Sequence, residues 1–131
     1  MKPWMAALGA TMLMQLVASF MGQSLPVIAP LIMASTGLAP ERVGNLSSLT
    51  ALGTVLYLLV GGGFLARLGP VRMLQLGTAM AVTALLVASL GYGWAIFAAA
   101  FMLGLGYGPT PPAGSRMLAA TAPSAHRSLI F

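Results

Sequence analysis

A chain of 131 residues that is 59% hydrophobic and only 5% charged cannot clothe itself in water, because a soluble domain devotes about 25% of its residues to charge. Its natural solvent is a lipid bilayer, where apolar side chains face hydrocarbon and charges are costly. The net charge of +5 does not point to nucleic acid, since the basic residues stand singly in breaks between apolar runs instead of sharing one surface. The absence of cysteine excludes disulfides, thiolate metal centres and cysteine nucleophiles, and one histidine with one acid leaves almost nothing for acid–base chemistry or metal binding.

A spanning helix needs about 20 mostly apolar residues. Four runs qualify: 4–33, 43–66, 73–91 and 94–116. The expected fold is all-α, a polytopic membrane protein with four transmembrane helices. Lys2 ahead of the first run raises a signal peptide, but the run far exceeds a signal core of about 7–15 residues and further spans follow it.

The first run is longer than one perpendicular crossing, so it must tilt, kink or protrude. Pro26 and Pro30 each remove a helical donor from its second half. Thr11, Gln15, Ser19 and Gln23 recur every fourth position and so share one face. Two readings stand side by side: hydrogen-bonding glue between helices, or a wall facing water and solute.

Residues 35–42 form a short polar loop in which Pro40 and Glu41 suit the opening turn of the next helix. Ser47, Thr50, Thr54 and Tyr57 then line one face of the second span. With Gly53 and Gly61 beside them they read first as a small-residue packing seam, with Tyr57 a candidate for the solute path. Between the second and third spans lies the stretch Gly61 to Arg72, which carries two basic residues, Arg67 and Arg72. The third span is mainly Ala, Leu, Val and Met and reads as a lipid-facing or scaffold helix. Gly91-Tyr92-Gly93-Trp94 is a tight turn whose aromatic rings suit the membrane interface.

The fourth span carries Gly104, Gly106 and Gly108, then Pro109, Pro111 and Pro112. Gly104 and Gly108 form a GxxxG pair that permits close helix approach. The prolines leave carbonyls unpaired, which at membrane depth is tolerated only against protein or a wet cavity. Tyr107 sits among them. A phosphate-binding glycine loop is excluded, because no lysine follows and no strand precedes. Residues 116–127 read as a polar connector in which His126 is a solvated loop residue. An apolar run begins again at 128–131, and the chain is expected to be a fragment, or a truncated gene product, of a longer protein.

Four spans place Lys2, Arg67, Arg72, Arg116 and Arg127 on one side and only Arg42, beside Glu41, on the other. The positive-inside rule makes the basic side cytoplasmic, which puts the N-terminus there and the protein in the inner or plasma membrane. No catalytic triad, paired carboxylate or metal-ligand set can be assembled, so no enzyme class survives and neither a cofactor nor a metal is expected. No span holds an ionisable residue clear of its ends, so proton coupling would have to rest on residues beyond Phe131.

The stretch after the second span resembles the major facilitator superfamily, whose short cytoplasmic loop has the pattern G-x-x-x-D-R-x-G-R-R. Gly62, Arg67 and Gly69 match its first glycine, its arginine and its second glycine. Ala66 stands where the pattern has its acid, Pro70 and Val71 where it has two basic residues, and Arg72 one place later. Gly104 and Gly106 match the R-x-x-x-G-x-G of that family's fourth helix, with Ala100 in place of the arginine, and Pro123 with Arg127 resemble its P-x-x-x-R connector. The resemblance covers the whole chain, about the first four of twelve helices. It implies that the first and fourth helices line a central cavity, that the third lies outside, and that the remaining C-terminal helices of the same transporter are the partners.

The expected function is secondary active transport of a small solute by alternating access, with no activity from four helices alone. Gln15, Ser19, Gln23, Tyr57 and Tyr107 are the candidate substrate-path residues. Gly62, Arg67, Gly69 and Arg72 are the candidate cytoplasmic gating loop, and Gly104, Gly106, Gly108, Pro109 and Pro112 mark the interruption of the fourth helix. The alternative is a self-contained four-helix membrane protein, either a small multidrug exporter or a non-transporting subunit.

Overall fold

The computed structural model describes residues 3–37 and 39–121, all of it helix and short connections: α1 (Pro3–Thr36), α2 (Arg42–Leu68), α3 (Pro70–Ala88), α4 (Gly93–Tyr107) and α5 (Thr110–Thr121). Among the described residues, three helices are long and apolar enough to cross a membrane, α1, α2 and α3. Their apolar surfaces turn outward. Leu59 is 79% exposed and Phe20 77% exposed, as side chains meeting hydrocarbon should be.

α1 runs 34 residues without a break despite Pro26 and Pro30. At about 1.5 Å per residue it is about 51 Å long, well beyond the roughly 30 Å of hydrocarbon it must cross. The α2–α3 connection is a single residue. Gly69 holds φ +79°, a left-handed backbone that glycine adopts without Cβ strain. Its N–H caps α2 by donating to the Leu65 carbonyl at 3.1 Å. Pro70 follows at the first position of α3, where its missing N–H costs nothing. That is why α3 begins at Pro70, not at Met73. At its other end α3 stops at Ala88, and the turn through Gly91, at φ +74°, carries the chain into α4.

The largest departure from expectation is the fourth span. The run 94–116 is not one helix. α4 ends at Tyr107 and α5 begins at Thr110, because Pro109, Pro111 and Pro112 cannot supply the N–H groups that continuity requires. α5 then continues to Thr121, so Arg116 and the first residues of the connector expected at 116–127 are helical. Lys2, Pro123, His126, Arg127 and residues 128–131 lie outside the described residues.

α4 is the centre of the bundle. It packs mainly against α2 on one side and α3 on the other, while α1 lies chiefly along α5. Two glycine seams allow this. A Cβ on Gly104 would collide with the Thr50 carbonyl of α2, and one on Gly106 would sit 2.7 Å from the Gly77 carbonyl of α3. Small residues at such seams let helix backbones approach closely, and close packing is what holds helices together in lipid. α3 buries Met73, Gly77, Ala81 and Ala84 on one stripe and turns Leu76, Met80 and Leu86 outward.

The core divides in two. One cluster gathers Leu25, Leu46, Ala84, Ile96, Ala100 and Leu103, at the end where α1 and α3 finish and α2 and α4 begin. The other gathers Leu65, Met73, Leu74 and Ala113 with Met14, Tyr57 and Met117 packed on it. This second end also carries Arg67, Arg72 and Arg116, all exposed. The structure thus collects the described basic residues at one end, with Arg42 alone at the other. At the Arg42 end Tyr92 and Trp94 stack with ring centroids 6.4 Å apart.

Candidate functional site

α1, α2 and the end of α4 enclose a polar cleft of about 290 Å³ lined by Ser19, Gly22, Gln23, Pro26, Ser47, Thr50, Ala51, Thr54 and Tyr107. Helical periodicity builds both long walls. Ser19 and Gln23 are one turn apart on α1, and Ser47, Thr50 and Thr54 follow at three and four residues on α2. No lining residue is charged. A larger groove of about 800 Å³ between α1, α3 and α5 has an almost wholly apolar wall, including Val71, Leu74, Val82 and Met117, and so offers little that could orient a polar ligand.

The cleft has a definite hydrogen-bonding character. Thr50 Oγ1 donates to the Leu46 carbonyl at 3.0 Å. Thr54 Oγ1 lies 3.1 Å from both the Thr50 carbonyl and the Gly104 carbonyl of α4. These hydroxyl protons are committed to backbone, and the oxygens retain lone pairs that accept. Gly22 lies in the same wall, and its carbonyl has no helical donor because Pro26 stands four residues on. Gln23, exposed at the wall, supplies both a donor and an acceptor. The arrangement can accept and donate hydrogen bonds and provides no counter-charge.

Three of the five substrate-path candidates, Ser19, Gln23 and Tyr107, meet at this cleft. The other two do not. Gln15 is half-buried one turn before Ser19 and does not line it. Further down the stripe, Thr11 bonds its own helix at the Ala7 carbonyl, 2.8 Å away, and its methyl group packs against Gly114 of α5. The α1 stripe is therefore a contact with α5 at its start and a wall of the cleft at its end. Tyr57 also departs from expectation. Its hydroxyl is buried without a hydrogen-bond partner, and its ring packs against Gly61 and Gly108, not into the cleft. Ser47, Thr50 and Thr54, read from sequence as a packing seam, are wall residues as well. Their same-face spacing was the available signal.

At the basic end Gly69 forms the turn between α2 and α3. Arg67 lies in the last turn of α2, where a cation faces the negative end of the helix dipole, and Arg72 lies in the first turn of α3. Gly62 meets nothing within 4 Å. Close approach falls instead on Gly61, which holds the Tyr57 ring. Among the positions that depart from the loop and helix-four patterns, Ala66 is exposed and Ala100 is completely buried in the core. An arginine at 100 would have to displace packed side chains.

The family model described as Major Facilitator Superfamily matches residues 11–131. No curated protein and no solved structure matched the chain.

Proposed function

We propose, because this chain belongs to the major facilitator superfamily, that it forms part of a secondary active transporter that carries a small solute across a cell membrane by alternating access. The observation that carries the reading is the charge-free polar cleft between α1, α2 and α4. Polar side chains are expensive at membrane depth unless they pair or serve a path, and here they converge on one space. Ser19, Gln23 and Tyr107, with Ser47, Thr50 and Thr54, bind the solute through hydrogen bonds. An uncharged, hydrogen-bonding solute fits this wall.

The cleft is open on one side, and further helices of the same transporter close it. The end bearing Arg67, Arg72 and Arg116 faces the cytoplasm by the positive-inside rule, and the N-terminus lies on that side. Gly69, with Arg67 and Arg72 flanking it, is the cytoplasmic joint through which α2 and α3 move together.

Gln23→Leu in the full-length protein tests this. Losing a hydrogen bond to the solute lowers uptake by about tenfold, the equivalent of about 1.4 kcal/mol, with membrane insertion unchanged. Gln15→Leu, off the cleft wall, has a smaller effect. Undiminished uptake by Gln23→Leu overturns the assignment of the cleft.

A further inference from the structure

Tyr57 is the only described residue with a buried side-chain nitrogen or oxygen that lacks a hydrogen-bond partner. Such a group costs about 1–3 kcal/mol, so its persistence calls for a cause. The ring is seated by two glycines. A Cβ on Gly61 would lie 2.5 Å from Cε2 and Cζ, and one on Gly108 would lie 2.6 Å from Cδ1 and Cγ. Gly61 is one turn further along α2, whereas Gly108 is the residue at which α4 gives way to α5. The ring also packs on the cluster that includes Ala113 of α5 and Leu74 of α3. Tyr57 is thus a wedge from α2 driven against the break in the fourth span.

The break holds the complementary deficit. In a helix each carbonyl accepts from the N–H four residues on. Positions 109, 111 and 112 are proline, so the carbonyls of Leu105, Tyr107 and Gly108 have no helical donor. The Gly104 carbonyl, just before them, is satisfied by the Gly108 N–H at 3.0 Å. The ring touches Gly108 by its Cγ–Cδ1 edge and carries its unpartnered hydroxyl at the other end, beside Gly61. A buried donor without an acceptor and a segment of acceptors without donors therefore belong to one contact and are not joined in this conformation.

We propose that Tyr57 is a positioning residue for the transport step: its hydroxyl donates to a carbonyl of the 105–108 segment in a second conformation of the fourth span, reached by α5 turning on Gly108 and Pro109. Glycine at 108 removes the side chain that would obstruct the ring, and the prolines keep the carbonyls free to receive the bond. In the present conformation the unmade bond raises the energy of the resting state, and making it favours the other. Tyr57 thereby sets the balance between two forms of the transporter without touching the solute. The inference rests on the transport reading for its purpose but not for its geometry.

Tyr57→Phe in the full-length protein keeps the ring and removes only the hydroxyl. The populations of the two forms shift toward the present one by about tenfold, the equivalent of about 1.4 kcal/mol. This is read as increased protection from hydrogen exchange across residues 107–114. The thermal midpoint rises, and solute KM stays constant while the maximal rate falls. A general packing role would lower the midpoint instead. Unchanged exchange across 107–114 overturns the proposal whether or not uptake is measurable, and so does a change in KM that matches the loss of rate. A shift in exchange in a protein that moves no solute would leave the Tyr57 switch standing and overturn the transport reading alone.

Discussion

Gly104→Ala is the most direct test of how this bundle is held together. The added Cβ would lie 2.8 Å from the Thr50 carbonyl carbon and 3.0 Å from the Thr54 nitrogen, against an optimal separation of about 3.5–4.0 Å. Both neighbours are backbone, so neither can turn aside as a side chain would, and α2 and α4 must part by about 1 Å. Overpacking of this kind costs about 1–3 kcal/mol. The parting also stretches the 3.1 Å contact from Thr54 Oγ1 to the Gly104 carbonyl, worth about 1 kcal/mol. Opposing these is the better helix propensity of alanine, about 1 kcal/mol. Gly62→Ala removes that last uncertainty, because Gly62 is also in a helix interior and meets nothing within 4 Å. The propensity gain is common to both variants, so Gly104→Ala should be less stable than Gly62→Ala by about 2–4 kcal/mol. Thermal unfolding of the purified proteins in detergent, followed by tryptophan fluorescence, measures the difference. Equal midpoints, or a more stable Gly104→Ala, would refute the claim that the Gly104 seam positions α2 on α4.

Three further outcomes are expected. Pro109→Ala restores an N–H for the Leu105 carbonyl, worth about 1 kcal/mol; the thermal midpoint rises while uptake falls, and full uptake in a stabilised variant would show that the break has no part in transport. Ala100→Arg places an unpaired charge at a site with no exposed surface and should cost at least about 3–5 kcal/mol, enough to abolish accumulation of folded protein in membranes. Ala66→Asp, at an exposed position beside Arg67, should accumulate normally. Its inward–outward balance then reports whether the missing acid of the loop pattern matters here.

Much of the architecture was legible in the chain because lipid imposes few solutions. A run of about 20 apolar residues has to satisfy its backbone internally, and helix is the form available to a single segment. That made the all-α bundle and the interruption near Gly108 readable from composition and proline. Kinship was legible from Gly62, Arg67, Gly69, Gly104 and Gly106. The site was legible only in part. Periodicity gives a face, and Thr11, Gln15, Ser19 and Gln23 do share one, but it does not say which neighbour that face meets.

The neighbour is what tertiary structure decided. The same α1 stripe packs on Gly114 at one end and borders the cleft at the other, because α1 leans on α5 at its start and faces α2 across the cleft further along. Sequence alone determined that this chain lives in a membrane, that its spans are helical, and which family it resembles. These follow from local rules: hydrocarbon thickness, the donors proline removes, the turn only Gly69 can make. Packing decided that Tyr57 is a wedge and not a cleft residue, that Gly61 and not Gly62 is the close contact, and that Ala100 is sealed in the core. Those depend on which backbone lies within about 4 Å of which side chain, a property of helices in relation to one another that no spacing within a single helix records.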